Sequence, residues 1–222
     1  QGLHTKMMVV CAHELGVSLE RVRAMVTATD KVPNTSATAA SAGADLNGEA
    51  VRRAAATLRE RLVAVAQRLL GLPPEAPITM AHDVVHGGGR RVSLAEVAQA
   101  AYLAQISLSA TGYYKTPDIH WDPATGRGKP FHYFAWGAAV SEVEVNGLTG
   151  EHHLQRVDIL HDVGRSLIPT IDRGQIEGAF VQGLGWLTTE ELVWGADGKL
   201  RTHSPDTYKI PALGDVPPEL YV

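Results

Sequence analysis

The sequence predicts an α+β fold, mixed sheets carrying packed helices, and three observations lead there. Near the start of the chain and again over residues 48–69, apolar residues recur at three- and four-residue steps, the spacing of a buried helix face. Residues 131–145 and 153–163 instead alternate apolar and polar side chains on either side of an NGLTG turn, as two strands of a hairpin do. A second strand-turn-strand pattern, WGADGKL, occupies residues 194–200. Hairpins mixed with helices argue against a purely parallel sheet. The 222 residues read as one region, with subdomains expected at about 1–110 and 111–222.

Each element has a local justification. Leu3, Met7, Val10, Cys11 and Leu15 form one face of a first helix, and Gly16 supplies its C-terminal cap. Residues 21–28 then alternate with period two at Val22, Ala24 and Val26, which predicts a half-buried strand. Residues 30–43, DKVPNTSATAASAG, have no apolar period and lead into a long helix whose face includes Gly48, Val51, Ala55, Leu62 and Leu69.

Residues 72–91 carry three prolines and Gly87-Gly88-Gly89, and read as a surface excursion. Ser93 and Glu96 form a capping box that starts a short helix ending near Gln105, and residues 107–116 look extended. After the hairpin, Pro169 opens a helix with apolar Ile176, Ala179, Phe180, Leu184 and Leu187.

Composition excludes several classes of function. Hydrophobic residues make up 45% and charged residues 20%, so the chain is neither disordered nor fibrous. With a net charge of -4 and 20 scattered basic residues, no polybasic stripe is available for nucleic acid or an anionic membrane. One cysteine rules out an internal disulfide, and no run of about 18 apolar residues exists to span a bilayer. A reducing, cytoplasmic setting is the expectation.

Catalytic constellations are not visible. His82 and His86 are four apart but lack a convincing third ligand, so they read as loop histidines and no metal ligand is assigned. The triple glycine lacks the Lys-Ser/Thr ending of a phosphate loop. Cys11 falls on the apolar face of its helix, and Glu142, Glu144, Glu190 and Glu191 are placed outside any buried acid–base site.

Two stretches do suggest binding. Small residues over 35–43 let a ligand approach the backbone, and the amides of the following helix favour an anion such as phosphate. An ordinary helix cap is the alternative. QIEGAFVQGLG, residues 175–185, carries glycines at a cost of roughly 1 kcal/mol each relative to alanine, an expense that needs close packing or a ligand to explain it. Within it Gln182 lies among apolar neighbours, and is read either as bonded to nearby backbone or as a polar reader of a heterocyclic cofactor.

Six stretches in one order, QGLHTKM, VPNTSATAAS, SLSATGYYKTPD, FHYFAWGAAVSEVEVNGLTGEH, IEGAFVQGLGWLTTEEL and SPDTYKIPALGD, closely resemble the molybdopterin-binding part of the xanthine oxidase family. The xanthine dehydrogenases of that family fit better than its aldehyde oxidases. The resemblance weakens only over residues 70–91. It implies that Gln1 and Gly2 end a Gly-Gln-Gly loop, so the chain is expected to be a fragment. It also implies that Gln1 and Gln182 hydrogen-bond the molybdopterin, while Thr38, Ala39, Ala40, Ser41 and Gly43 contact the pterin, its phosphate and the metal region. Gly43 stands where some relatives have Ser, which leaves only a backbone role there.

The family's general-base Glu lies beyond the TYKIPALGD segment and its purine-facing residues lie upstream, so no catalytic residue is carried over. The implied reaction is oxidation of hypoxanthine and xanthine to urate, in purine catabolism, at a molybdenum centre. Electrons would leave through 2Fe–2S centres and FAD to NAD on other segments or another subunit. The implied partners are the rest of the molybdenum-binding chain, the FAD and iron–sulfur part, and a purine, in an oligomer. An aldehyde oxidase of the same family and a non-catalytic scaffold relative are the alternatives.

Overall fold

A computed structural model describes residues 1–31 and 41–222. The chain divides into two compact units, one formed by Gly2–His132 and the other by Tyr133–Val222 together with Gln1. Helices and mixed sheets occur together, as the α+β expectation requires. No helix among the described residues is long and apolar enough to cross a membrane.

In the first unit, α1 spans Leu3–Leu15 and stops at Gly16, whose φ of 66° is the left-handed conformation of a glycine cap. Gly16 has a second reason to lack a side chain. A β-carbon there would lie 2.2 Å from the carbonyl oxygen of Met80, and the Gly16 carbonyl accepts the Asp83 amide at 2.9 Å. α2 runs Gly43–Leu69, starting one turn earlier than its apolar period suggests. Against it α1 packs through small residues: a β-carbon at Gly43 would meet Leu3 at 2.9 Å and one at Gly48 would meet Met7 at 3.5 Å. Cys11 is half-buried in α1, and burial pushes its thiol pKa up, so it is a packing residue with little thiolate character.

The region expected to be a surface excursion is instead an antiparallel meander. β1 (Thr79–Ala81), β2 (Val84–Gly87) and β3 (Arg90–Ser93) pair in sequence order, with Met80 opposite Val85 and Val85 opposite Val92. Met80 and Val85 enter the core beside Leu62, Val65 and Ala66 of α2 and Val97 and Ala101 of α3 (Leu94–Leu103). Strands of three or four residues carry too little alternation to outweigh the proline and glycine signals around them. His82 and His86 are exposed on this meander, and the triple glycine forms its β2–β3 turn.

α3 opens with the expected capping box: the Ser93 hydroxyl accepts the Glu96 amide at 3.2 Å, and the Glu96 carboxylate accepts the Ser93 amide at 3.0 Å. Residues 22–28 form no strand. Among the described residues nothing pairs with them, and Met25 and Val26 are 68% and 83% exposed. Alternation alone does not make a strand where no ladder partner is present. A small antiparallel pair, β4 (His120–Asp122) with β5 (Arg127–Lys129), completes this unit.

In the second unit, β6 (Gly137–Val145) and β7 (His152–His161) form the expected hairpin, with an irregularity that leaves Gln155 as an extra residue on β7. β8 (Glu219–Tyr221) adds parallel to β7, so this sheet is mixed. Arg156, paired with Asp158 of its own strand at 2.7 Å, ties the added strand in place by pairing with Glu219 at 3.5 Å and by stacking over the Tyr221 ring at 4.9 Å. α4 spans Pro169–Thr188 with its proline in the first turn. The WGADGKL stretch is reduced to one antiparallel bridge between Trp194 and Leu200.

Candidate cofactor-binding site

The residues assigned from sequence fall in both units, and each group is described by itself. In the first unit they gather at the start of α2. Ser41 has a φ of 54°, Ala42 caps the helix without a side-chain bond, and the first intrahelical bond runs from the Leu46 amide to the Ala42 carbonyl at 3.1 Å. The first-turn amides therefore have no acceptor within the helix and lie at the positive end of its dipole. Gly43 is buried against Leu3, a packing reason for the glycine that holds whether or not a ligand is near. Thr38, Ala39 and Ala40 lie outside the described residues.

One turn further, Glu49 accepts Arg52 at 2.7 Å and Arg53 at 2.9 Å. Its hydrogen bond from Arg52, with help from Arg53, lowers its pKa to about 2. Arg53 also donates to the Tyr113 carbonyl at 3.0 Å, and Arg61 donates to the carbonyls of Ser107 and Ser109 at 2.9 Å each. Residues 107–114 are thus strapped along α2 without forming a strand.

In the second unit α4 carries Gln182. Ile176, Phe180 and Leu184 lie on the half-buried side, while Gln175, Gly178, Ala179, Gln182 and Trp186 are exposed. This corrects the placement of Gln182 among buried apolar residues. Its carboxamide makes no hydrogen bond among the described residues, and its exposure removes any desolvation cost. Ala179 and Leu187, named among the apolar residues of this helix, are also exposed, Leu187 by 82%. A helix that is apolar on both sides is one built to be covered on both.

The glycines of α4 divide in the same way. Among the described residues nothing lies within 4 Å of a β-carbon at Gly174, Gly178 or Gly183, whereas one at Gly185 would meet Pro211 at 2.4 Å and Glu190 at 2.5 Å. Internal packing accounts for Gly185 alone. Gln1, also exposed, belongs to the same unit as Gln182.

Sequence reasoning passed over the contact that holds the end of α4. The Tyr208 hydroxyl donates to Glu190 Oε2 at 2.6 Å, and this bond to a carboxylate, with burial, raises the phenol pKa. A cleft of about 320 Å³ opens nearby, bordered by His153, Leu154, Leu184, Thr188, Asp215 and Pro218, and none of the assigned residues borders it. Among the described residues no group of three or more His, Cys, Asp or Glu is placed to hold a metal ion.

The first unit thus offers helix amides and a serine hydroxyl, and the second, separately, offers carboxamides, groups that suit hydrogen bonding rather than a bare cation. The profile of one family, described as the molybdopterin cofactor-binding domain, matches residues 1–217. The chain belongs to that family.

Relatives of this molybdopterin cofactor-binding domain carry related names. The chain is 47% identical over 222 residues to xanthine dehydrogenase/oxidase of Gallus gallus, covering all of this chain and 15% of that protein. It is 45% identical over 222 residues to aldehyde oxidase 1 of Cavia porcellus, again covering all of this chain and 15% of that protein. The chain thus spans about 15% of the length of the curated relatives it matches. Among solved structures, quinoline 2-oxidoreductase from Pseudomonas putida 86 superposes with a TM-score of 0.79 at 26% identity, covering all of this chain and 28% of that one. The fold is that of molybdenum-cofactor domains.

Proposed function

We propose that this chain forms part of the molybdopterin-holding wall of a molybdenum hydroxylase that oxidises hypoxanthine and xanthine to urate. The observation that carries the reading is the open face of α4, where Gln182 and Gly178, neither with a partner among the described residues, stand exposed on a helix whose other side is half-buried. The family match over residues 1–217 supports the ligand, and the 47% identity to a xanthine dehydrogenase/oxidase favours a purine as the substrate.

Gln182 offers both a donor and an acceptor to the pterin edge, and Gln1 offers the same pair. The first-turn amides of α2, with Thr38, Ala39, Ala40, Ser41 and Gly43, favour the phosphate end by the dipole and by close backbone approach. The bound cofactor supplies the redox centre at which a ring carbon is hydroxylated. These residues fix its orientation and exclude water from one side. The general base, the 2Fe–2S and FAD groups and the NAD that accepts electrons belong, in this reading, to other segments or subunits of a cytoplasmic oligomer.

An aldehyde oxidase is the second reading, favoured by the 45% identity to aldehyde oxidase 1. Turnover of xanthine against an aromatic aldehyde by the intact protein, with molybdenum measured on the same sample, separates the two. Urate formation supports the first reading. Oxidation of the aldehyde alone replaces it with the second, and absence of molybdenum from protein made in a competent host overturns both.

A further inference from the structure

We infer that Tyr208 and Glu190 form a positioning pair that fixes the C-terminal end of α4 and, through it, the direction in which Gln182 points. The inference rests on the reading that Gln182 contacts molybdopterin. α4 needs such a hold. Gly174, Gly178, Gly183 and Gly185 weaken it, its N-cap makes no side-chain bond, and Gly185 is its one fully buried residue among those described.

At Gly185 several restraints meet. Its carbonyl accepts the Thr189 amide at 3.0 Å and the Glu190 amide at 2.9 Å, which closes the helix and carries the Glu190 side chain back over the last turn. There Glu190 receives the Tyr208 hydroxyl at 2.6 Å in a partly buried contact. Thr189 Oγ1 donates to the Lys209 carbonyl at 3.0 Å, and Pro211 fills the space that the missing Gly185 side chain leaves. Three successive links thus join the 208–211 segment to the helix end.

The segment is itself held. The Thr207 and Tyr208 amides donate to the Ser204 carbonyl at 3.0 and 2.8 Å, and the Ser204 hydroxyl bonds Asp206. Tyr208 therefore projects from a closed turn. Gln182 precedes Gly185 by three residues, about 4.5 Å along the axis and on the adjoining part of the helix surface. A tilt or fraying of the last turn moves the Gln182 carboxamide with it.

The test measures molybdopterin, as its fluorescent oxidation product released on denaturation, and molybdenum per protomer in the intact protein. The variants are Gln182→Ala, Tyr208→Phe, the double variant, and Glu190→Gln, whose amide oxygen still accepts the tyrosine proton. We expect Gln182→Ala and Tyr208→Phe each to lower cofactor retention about three- to tenfold, and the double variant to fall no further than Gln182→Ala. Glu190→Gln should stay within about twofold of the parent protein. Loss in Gln182→Ala with parental retention in Tyr208→Phe overturns the positioning role, as does a double variant whose losses multiply. Parental retention in Gln182→Ala overturns the cofactor reading itself. Should Tyr208→Phe fail to fold, Glu190→Ala against Glu190→Gln decides: equal losses in the two overturn the role of the hydrogen bond.

Discussion

Gly112 crosses α2 so closely that a β-carbon on residue 112 would lie 1.8 Å from the carbonyl oxygen of Ala50 and 2.9 Å from the Ala54 amide nitrogen. The neighbours are helix backbone and cannot turn aside as a side chain could. Gly112→Ala should therefore cost about 1–3 kcal/mol, with the strap of residues 107–114 lifted from α2. Chemical denaturation of the intact protein checks the cost, and faster amide exchange over residues 107–114 checks the cause. An unchanged midpoint would mean that the strap does not stabilise α2.

The core position of the meander predicts the effect of Val85→Ala. Val85 is fully buried with Val97 and Ala101, so removing two methyl groups should destabilise by about 2 kcal/mol, counting lost burial and the cavity left behind. A surface excursion would register less than about 0.5 kcal/mol. The shift in unfolding midpoint separates the two descriptions.

Glu49 gives a pH dependence with a defined sign. Its pKa falls from the ordinary 4.5 to about 2 because Arg52 and Arg53 hydrogen-bond the ionised form. A lowered folded-state pKa stabilises above the unfolded value and loses that stabilisation as pH falls through the folded one. The arginine side chains are about half exposed, so solvent screening keeps the whole effect under about 1 kcal/mol. Glu49→Gln should be less stable than the parent at pH 7, and the difference should shrink from pH 4.5 downwards and vanish only below the folded-state pKa of about 2. Urea midpoints of both proteins across that range test the sign.

The long periodic elements were legible in the sequence because their signal is local. α1 and α3 have their expected caps, and the β6–β7 hairpin flanks the expected turn. What escaped was short or non-local. β1, β2, β3 and β8 have three or four residues each and are made strands by their neighbours, as Val85 is by Met80 and Val92. Residues 22–28 show the reverse, a strand pattern without a described partner.

For the candidate site the sequence marks residue types but not their exposure. Gln182 stood out as a polar residue in an apolar window, yet it is exposed, because α4 is apolar on both sides and one of them is open. The Tyr208–Glu190 bond joins residues 18 apart across a segment without regular structure, and no periodicity marks such a contact.

Gly178→Leu tests the proposed role of the open face of α4 with two readouts of opposite sign. Among the described residues nothing lies within 4 Å of a β-carbon at Gly178, and leucine favours a helix over glycine by up to about 1 kcal/mol, so the substitution should leave the unfolding midpoint unchanged or raise it. If Gln182 and Gly178 face molybdopterin as proposed, the same variant of the intact protein loses most of its molybdopterin, because the leucine takes up that space. Full molybdopterin content in a stable Gly178→Leu protein would contradict that role.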